Sequence, residues 1–356
     1  MNEKLFALDE ENIYEHLFER YSQLNGNIEG IKQDLGIHDK TQNVIEVDIQ
    51  DTKVEKKKRK KKVRSEIYNF VIEQSLSSLG SSNDNNKNST TGYVLWSTTL
   101  IFLNWLLYGE SDVCKLIRNG EAIQGNEVLK FDGLFQKNDS GKKGIIELGS
   151  GISGILSIVM SNHVDYYVAT DQNSILNKLK FNIRQNILQL NMKKCKSKSL
   201  NFNTKEEEED EQRGVDLQDS RQRKQIVQLE TLPLDWETFQ LLKNNQPLVN
   251  SNSKYPILYQ LKEDCSSIVI LAMDVIYNDY LIKPFLDTVK ELFQFYQLKS
   301  KIQISCIVGL QLRAQDMIEM FLETIICEYQ FVVHHVSDSM LAQTRCGVYL
   351  LSPQTK

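Results

Sequence analysis

The sequence predicts an α/β fold built on a mainly parallel sheet, and three observations support this prediction. Segments with strand composition alternate with segments of helical periodicity along most of the chain. A glycine turn of the form Gly-x-Gly-x-x-Gly, from Gly149 to Gly154, joins an apolar strand to an apolar helix. The next strand ends at Asp171, about twenty residues after Gly151, which is typical of a βαβ unit with a nucleotide-type ligand at its strand ends.

The N-terminal part of the chain predicts a helix, a strand and then a basic segment. Residues 5 to 35 have helical spacing in places, and residues 44 to 49 alternate as a short strand. Lys56 to Lys62 are seven consecutive basic residues, which predict a nuclear-import signal, a contact with RNA or the ribosome, or a solvated loop. Residues 80 to 90 have the composition of a flexible linker.

Composition and charge limit the classes of protein. An apolar fraction of 41% and a net charge of −5 are those of a globular protein and argue against a chain that binds nucleic acid along its whole length. The six cysteines contain no C-x-x-C pair, so we expect reduced thiols and no zinc ribbon. No basic-then-apolar signal begins the chain, and the apolar stretch from Tyr93 to Tyr108 is too short to span a membrane. We therefore expect a soluble protein of the cytoplasm, found also in the nucleus if the basic run is an import signal.

The remaining elements follow from apolar spacing. We expect a helix to Tyr108 with Ser97 or Thr98 as its cap, and a loop or hairpin over residues 109 to 142. A helix over residues 174 to 190 precedes a charged insertion, 191 to 224, which we expect to be disordered or loosely ordered. The later predicted elements are a strand 225–232, a polar loop 240–265, a strand 267–273, a helix 280–296, a strand 301–309, a helix 313–328 and two strands, 331–336 and 347–351.

The glycine turn fits two classes of enzyme, NAD-type dehydrogenases and S-adenosylmethionine methyltransferases. Glu147, just before the first glycine, favours methyl transfer because a carboxylate there can hold the methionine amino group, or a water and backbone N–H near it. No separate substrate domain with a hydride-transfer His and Arg pair is present in the sequence, so an NAD enzyme ranks last. A glycine turn without a ligand is the remaining alternative.

Aromatic and acidic residues mark three neighbouring positions of the predicted pocket. Asp171 can accept hydrogen bonds from both ribose hydroxyls. Asp235 can meet the adenine amino group, and Trp236 can cover the adenine ring or else pack beneath the loop. Trp96, ahead of the first strand of the glycine unit, predicts either a lid on the cofactor or an anchor for the N-terminal helix.

The end of the strand that closes at Met273 lies at the predicted topological switch point, where the reacting methyl group would sit. Met273 would touch the cofactor. Asp274 would accept a hydrogen bond from a substrate ammonium, or hold local structure. Tyr277 would line a channel for a lysine side chain by cation–π contact, or pack in the core.

Neither a catalytic histidine nor a metal-binding spacing is evident among the five histidines. This fits methyl transfer to an amine, which depends mostly on positioning and desolvation of a deprotonated amine. We therefore expect no metal.

Taken together, the motifs at Trp96, 147–151, Asp171, 235–236 and 274–277 resemble those of the family 16 seven-β-strand lysine methyltransferases, over residues 86 to 356. The resemblance implies a Rossmann-like, seven-stranded class I methyltransferase sheet with a reversed last strand, and an N-terminal extension over residues 1 to 85. It also implies S-adenosyl-L-methionine as cofactor.

The resemblance carries roles to individual residues. Trp96 would stack near the cofactor, Gly149, Ser150 and Gly151 would form the loop under its methionine part, and Asp171 would take the ribose hydroxyls. Trp236 would lie by the adenine, and Met273 would meet the cofactor at the fourth strand. Many members of the family have alanine at the position of Met273, which is a departure from the pattern.

Residues 8–21, 34–37 and 89–98 resemble the members of this family that methylate ribosomal proteins. This implies an enzyme that monomethylates a lysine of a large-subunit (60S) ribosomal protein. We separately expect the protein to be a monomer. Two alternatives stay open: a methyltransferase acting on RNA or a small molecule, and a non-catalytic ribosome-associated factor that binds through Lys56 to Lys62.

Overall fold

The computed structural model describes residues 4–25, 36–51, 66–79, 91–120, 131–135, 141–202, 225–244, 246–248, 254–298 and 302–354. Its strands are β1 Lys4–Leu8, β2 Val44–Ile49, β3 Tyr68–Glu73, β4 Lys142–Leu148, β5 Tyr166–Asp171, β6 Lys194–Lys196, β7 Ile226–Pro233, β8 Leu242–Lys243, β9 Gln246–Pro247, β10 Cys265–Met273, β11 Gln303–Gln311, β12 Val332–Ser337 and β13 Cys346–Ser352. Its α-helices are α1 Ile13–Asn25, α2 Ser97–Tyr108, α3 Asp112–Asn119, α4 Ile155–Ser161, α5 Asn173–Gln185, α6 Pro256–Asp264, α7 Ile282–Gln297, α8 Gln315–Glu323 and α9 Ser339–Ala342.

In the described part of the chain, nine strands form one sheet in the order β1-β12-β13-β11-β10-β4-β5-β7-β6. The strands β11, β10, β4, β5 and β7 run parallel, and β13 is antiparallel to both β11 and β12. The seven strands from β12 to β7 have the predicted class I methyltransferase order with the last strand reversed, so the predicted fold class is confirmed. Two short strands, β1 and β6, extend the sheet at its two edges.

The sheet has a hydrophobic core on each face because side chains alternate along its buried strands. In β4, Ile146 and Leu148 belong to one core and Ile145 belongs to the other. The chain passes from β4 outward to β5 and β7, then returns to place β10 on the other side of β4. The carboxyl ends of β4 and β10 therefore flank the topological switch point, where ligands of such sheets bind.

The N-terminal extension is part of this fold through three contacts. Strand β1 pairs with the edge strand β12, in an antiparallel register of Lys4 with Ser337. Strands β2 and β3 form a hairpin whose inward side chains join the core on the α2 face. Helix α5 fixes the β3 edge of that hairpin, because Asn182 Oδ1 accepts the backbone N–H of Glu73 at 2.9 Å. The boundary at residue 85 remains a prediction, and the basic run 56–62 and the linker 80–90 lie outside the described residues.

Two predicted loops are wrong, since each contains a helix. Helix α3 lies within the predicted loop or hairpin of residues 109–142, and local sequence explains it: Ser111 accepts the Cys114 N–H at 3.0 Å as N-cap, and Gly120 ends the helix in the left-handed conformation, φ 72°. Helix α6 lies within the predicted polar loop of residues 240–265. Pro256 begins it, and its apolar side chains are buried.

The predicted insertion 191–224 is ordered at its start. Residues 194–196 form β6, and the Glu230 carboxylate accepts the N–H groups of Lys198 and Ser199, each at 2.9 Å. Residues 203–224 lie outside the described part. The cap of α2 also differs from the prediction, because Trp96 is its N-cap residue and no side chain caps it. No helix of the described residues is long and apolar enough to cross a membrane.

Candidate active site

A pocket opens at the carboxyl ends of β4, β5, β7 and β10, and we call it the central pocket. It is lined by all ten predicted site residues: Trp96, Glu147, Gly149, Ser150, Gly151, Asp171, Trp236, Met273, Asp274 and Tyr277. The structure therefore brings together in one place residues that are spread over about half of the sequence. Their individual roles remain predictions, and the geometry below bears on each of them.

The glycine turn needs glycine for conformational and steric reasons. Gly149 and Gly151 have φ values of 70° and 58°, in the left-handed region that side chains with a Cβ disfavour. A Cβ on Gly149 would lie 2.7 Å from Cγ1 of Val275, inside the pocket wall. Glycine at position 149 thus allows the turn to pack directly against Val275 in the pocket wall.

The backbone N–H groups of this turn already donate to protein acceptors. Ser150 donates to the Thr170 carbonyl at 2.9 Å, Gly151 to Asp171 Oδ2 at 2.7 Å, and Ile152 to the Gly92 carbonyl at 3.1 Å. A pyrophosphate on a dehydrogenase turn requires such N–H groups to be free. The turn therefore disfavours a dinucleotide and leaves the surrounding side chains to recognise the ligand.

Asp171 is held as an acceptor at the end of β5. Its Oδ2 accepts the N–H of Gly151 and its Oδ1 the N–H of Gln172, both at 2.7 Å. Burial raises the pKa of this carboxyl to about 6, while the two backbone bonds oppose the shift. Each carboxylate oxygen has further lone-pair capacity, so a pair of ligand hydroxyls can be bound here.

Glu147 is a buried carboxyl on the floor of the central pocket. Its Oε2 accepts the hydroxyls of Ser157 at 3.0 Å and Tyr167 at 2.8 Å. Burial raises the pKa of Glu147 to about 7, and these hydroxyl donors oppose the shift. A cationic ligand group beside Glu147 would favour its ionised form, so this position suits the ammonium of an amino acid.

The base side of the pocket contains an aromatic wall and an unsatisfied acceptor. Trp236 lines the pocket and also packs its edge on Phe285, with ring centroids 5.4 Å apart, so both predicted roles for this indole are compatible with its position. Gln172, which the sequence did not single out, has a buried Oε1 that finds no hydrogen-bond partner among the described residues. An exocyclic amino group of a base can satisfy such an acceptor.

Asp274 does not present its carboxylate to the pocket. Its side chain is 0% exposed and forms a two-pronged ion pair with Arg313, with Nη1 to Oδ1 at 2.8 Å and Nη2 to Oδ2 at 2.6 Å. Burial raises the pKa of Asp274 and the Arg313 guanidinium opposes that shift. This geometry favours the alternative that Asp274 holds local structure, and its contact with a substrate amine stays a prediction.

Trp96 and Tyr277 form the aromatic part of the lining on this side. Trp96 is half-buried, donates its Nε1–H to the Thr91 carbonyl at 2.9 Å, and carries the Arg313 guanidinium 4.8 Å from its ring centre. Tyr277 is half-buried beside Leu281 in the pocket lining. Trp96 and Tyr277 thus line the same pocket as Met273, and the predicted roles of both rings remain predictions.

The donor set fits a nucleoside that also carries an amino acid. Asp171, Glu147, Gln172 and Trp236 all line the pocket, and their side chains are chemically suited to ribose hydroxyls, an ammonium and a base. No cluster of three or more His, Cys, Asp or Glu side chains suited to a metal ion occurs among the described residues.

Sequence comparisons agree with this chemistry. A model of the lysine methyltransferase family matches residues 77–218. A ribosomal lysine N-methyltransferase 5 of Saccharomyces cerevisiae strain Lalvin EC1118 is 40% identical over 375 aligned positions, covering 98% of this chain and 99% of the relative. The protein of the same name from strain S288c matches with the same identity and coverage. A solved structure of a human methyltransferase 10 domain containing protein aligns with a TM-score of 0.34 at 13% identity, covering 72% of this chain and 83% of that chain.

Membership of this family implies an enzyme that depends on S-adenosylmethionine, and the lining of the central pocket is compatible with that cofactor. The chain belongs to the lysine methyltransferase family and is a protein-lysine N-methyltransferase.

Proposed function

We propose that this enzyme transfers one methyl group from S-adenosyl-L-methionine to a lysine of a large-subunit ribosomal protein. The observation that carries the proposal is the 40% identity to ribosomal lysine N-methyltransferases over 98% of the chain. The identity spans the N-terminal segments as well as the cofactor motifs, so it supports a shared class of substrate. Monomethylation and the large subunit are supported by the sequence resemblance.

The cofactor is assigned to the central pocket because the side chains that line it match the chemical groups of S-adenosylmethionine. Asp171 accepts the two ribose hydroxyls, Glu147 holds the methionine ammonium, and the turn from Gly149 to Gly151 lies under the methionine part. Trp236 covers the adenine, whose amino group donates to the carboxylate of Asp235. The bound cofactor supplies a methyl group on a positively charged sulfur, which is open to attack by a neutral amine.

The substrate lysine enters on the side of Met273. Tyr277 borders this entrance, and its ring attracts an ammonium and excludes water around it, while the Trp96 ring carries the Arg313 guanidinium. The Asp274–Arg313 pair has no net charge, so it does not hold the incoming amine as an ammonium ion. The lysine ammonium would first lose a proton to solvent. The neutral amine would then take the methyl group as the sulfur–methyl bond breaks and S-adenosylhomocysteine leaves, so the task of the pocket is positioning and desolvation.

The proposal is tested with purified large ribosomal subunits and S-adenosylmethionine that carries a labelled methyl group. After incubation, RNA and protein are separated, and mass spectrometry locates the label. We expect one ribosomal protein to gain the mass of one methyl group on one lysine. Label in RNA would establish an RNA methyltransferase. Consumption of S-adenosylmethionine without label in RNA or protein would point to a small-molecule substrate.

The control enzyme is Asp171→Ala, which removes the proposed ribose acceptor. Equal labelling with this variant would show that the transfer does not depend on the central pocket. A wild-type protein that binds S-adenosylhomocysteine but turns over no cofactor with subunits or extract would support the non-catalytic alternative.

Three further expectations belong to the same proposal. The enzyme acts as a monomer, which sedimentation velocity tests. The run from Lys56 to Lys62 contacts ribosomal RNA, so replacing its lysines should weaken binding to subunits and reduce the salt dependence of that binding. The protein resides in the cytoplasm, and in the nucleus as well if this run is an import signal, which a fluorescent fusion tests.

A further inference from the structure

Arg313 contacts two residues of the central pocket that lie far apart in the sequence. Its guanidinium makes the two-pronged ion pair with the buried Asp274 carboxylate, at 2.8 Å and 2.6 Å. The same guanidinium lies over the Trp96 indole, with its central carbon 4.8 Å from the ring centre. One planar group therefore joins the loop after β10 to the segment before α2, on the substrate side of the pocket.

This geometry is specific to arginine. A guanidinium offers a flat fork of N–H groups that matches the two oxygens of a carboxylate, and its flat face stacks on an aromatic ring. A lysine ammonium is a point charge that can make the ion pair but neither the fork nor the stacking. The arrangement therefore depends on more than the charge of residue 313.

The carboxylate that Arg313 holds has a constrained backbone. Asp274 has φ 60°, in the left-handed region, and its N–H donates to the Gly309 carbonyl at 2.7 Å. The N–H of Gln311 donates to Asp274 Oδ1 at 3.3 Å. The direction in which the chain leaves β10, and with it the position of Tyr277, thus depends on the anchoring of this one side chain.

The outer side of the arginine is covered by the N-terminal extension. Gly36 has φ 92°, and a Cβ on it would lie 3.1 Å from Nη2 of Arg313 and 3.3 Å from Cε3 of Trp96. The Gly36 carbonyl accepts the N–H of Ser97 at 2.6 Å, and Ile37 forms a bridge with Trp96. The arginine is therefore packed between the extension and the pocket wall.

We propose that Arg313 is a positioning residue for methyl transfer, which fixes the Asp274–Tyr277 loop and the Trp96 ring relative to each other at the lysine entrance. It acts through Asp274 and Trp96 and touches neither substrate nor cofactor. The inference rests on the proposed transfer to a ribosomal protein lysine, and it adds a residue that no motif of the pocket contains.

The test compares Arg313→Gln, Arg313→Lys, Asp274→Asn and the double variant Asp274→Asn/Arg313→Gln. The rate constant kcat and KM are measured with large ribosomal subunits, affinity for S-adenosylhomocysteine by calorimetry, and folding by thermal denaturation. We expect Arg313→Gln to lower kcat about 100-fold while the affinity for S-adenosylhomocysteine falls by less than about fivefold. Arg313→Lys should stay at least about tenfold below the wild type in kcat, because the fork and the stacking are lost.

The double variant distinguishes positioning from general damage to the fold. If Arg313 acts in part through Asp274, the two losses are not independent, and the double variant keeps a kcat well above that expected from multiplying the two single losses. Three results would each overturn the inference: losses in kcat that multiply in the double variant, an Arg313→Gln enzyme within about threefold of wild-type kcat, or full recovery of kcat in Arg313→Lys.

The matched control is Arg345→Gln, which removes a half-buried arginine that donates to the Leu312 carbonyl and lies outside the described pocket lining. It should keep wild-type kcat.

A second measurement does not need the substrate. The chain has three tryptophans, so its indole N–H groups give few NMR signals, and Trp96→Phe assigns the signal of Trp96. Arg313→Gln should shift the Trp96 signal and leave that of the buried Trp105 in place. If the wild-type enzyme leaves ribosomal subunits unmethylated, the proposed substrate is wrong, but the positioning role of Arg313 can still be tested by NMR. An unchanged Trp96 signal in Arg313→Gln would overturn that role, whatever the substrate.

Discussion

Replacing Asp171 with asparagine should weaken cofactor binding without loss of the fold. In the structure both carboxylate oxygens accept backbone N–H groups at 2.7 Å, from Gly151 and Gln172. Asparagine keeps the shape of the side chain, but only its amide oxygen can accept hydrogen bonds. Its amide NH₂ must therefore face either a backbone N–H or a ribose hydroxyl at the position of the lost acceptor. Hydrogen bonds to charged groups contribute about 1.5–3 kcal/mol, which corresponds to a loss of roughly 10- to 150-fold in affinity.

The same carboxyl should make cofactor binding depend on pH. Burial raises the pKa of Asp171 to about 6, from 3.8, so the free enzyme carries a proton there below pH 6. Ribose hydroxyls donate to the ionised form and favour it, so binding releases a proton and affinity should rise as the pH rises through 6. In Asp171→Asn the part of this pH dependence that centres near pH 6 should be absent, while the part due to Glu147, whose pKa is about 7, remains.

The pKa shift of Asp171 also affects the free energy of unfolding, and this effect can be distinguished from the effect on cofactor binding. Because the folded pKa lies above the unfolded pKa, the stability associated with neutral Asp171 is complete below pH 3.8 and is lost as the pH rises through about 6. The shift corresponds to about 3 kcal/mol, so ionised Asp171 opposes folding at pH 8 and a neutral asparagine removes that cost. The backbone hydrogen bond that asparagine cannot accept costs a similar amount, about 1.5–3 kcal/mol, so the free variant should denature near the wild-type temperature at pH 8.

The assay is calorimetric titration with S-adenosylhomocysteine between pH 5 and pH 8, beside thermal denaturation of each protein. The matched control is Asp112→Asn, since that carboxylate is 74% exposed in the first turn of α3 and forms only a surface ion pair with Lys115. Unchanged affinity of Asp171→Asn at pH 8, or the same pH dependence in variant and wild type, would refute the ribose assignment.

Three more substitutions test the pocket and its supports. Glu147→Gln should weaken S-adenosylhomocysteine binding about tenfold by calorimetry. Because the pKa of Glu147 is raised from 4.5 to about 7, its ionisation costs folding free energy increasingly between these two values, so the melting temperature of this variant relative to wild type should rise between about pH 4.5 and pH 7 and level off above that. Gly36→Ala places a methyl group against Arg313 at φ 92° and should lower kcat about tenfold, measured with ribosomal subunits. Gly154→Ala, at φ 66° with its new Cβ overlapping Ile183, should cost about 2–4 kcal/mol of stability in urea denaturation, and an unchanged midpoint would contradict this packing.

The cofactor side of the pocket could be predicted from sequence because its signals are local. The turn from Gly149 to Gly154 must follow a strand and begin a helix, and the acid at Asp171 must end the next strand, so spacing alone places both. Helix α3 was missed although its signals are equally local. Ser111 as N-cap and Gly120 at the C-terminal end bound a segment with buried residues at helical spacing.

The substrate side could not be predicted because its contacts depend on how distant strands align. Arg313 meets Asp274 across 39 positions of sequence, and only the parallel register of β10 on β11 places the two strand ends side by side. The contacts of Arg20 depend even more on long-range alignment. This buried arginine of α1 donates to the carbonyls of Leu341, Thr344 and Cys346, more than 300 positions away. From the sequence alone, Arg20 is only a charged residue on a predicted helix.

The N-terminal extension was predicted as a separate segment because its composition changes around residue 80, but its packing argues that it folds with the rest. The hairpin β2–β3 buries six large apolar side chains in the core it shares with α2: Ile45, Val47, Ile49, Tyr68, Phe70 and Ile72. Burial of one such side chain contributes about 1.5–3 kcal/mol, and the net stability of a whole domain is only about 5–15 kcal/mol. Without the extension, α2 would lose this cover and Trp96 would lose its contact with Gly36. The change in composition therefore separates stretches of sequence that belong to one folding unit, and the wall of the lysine entrance is built from both.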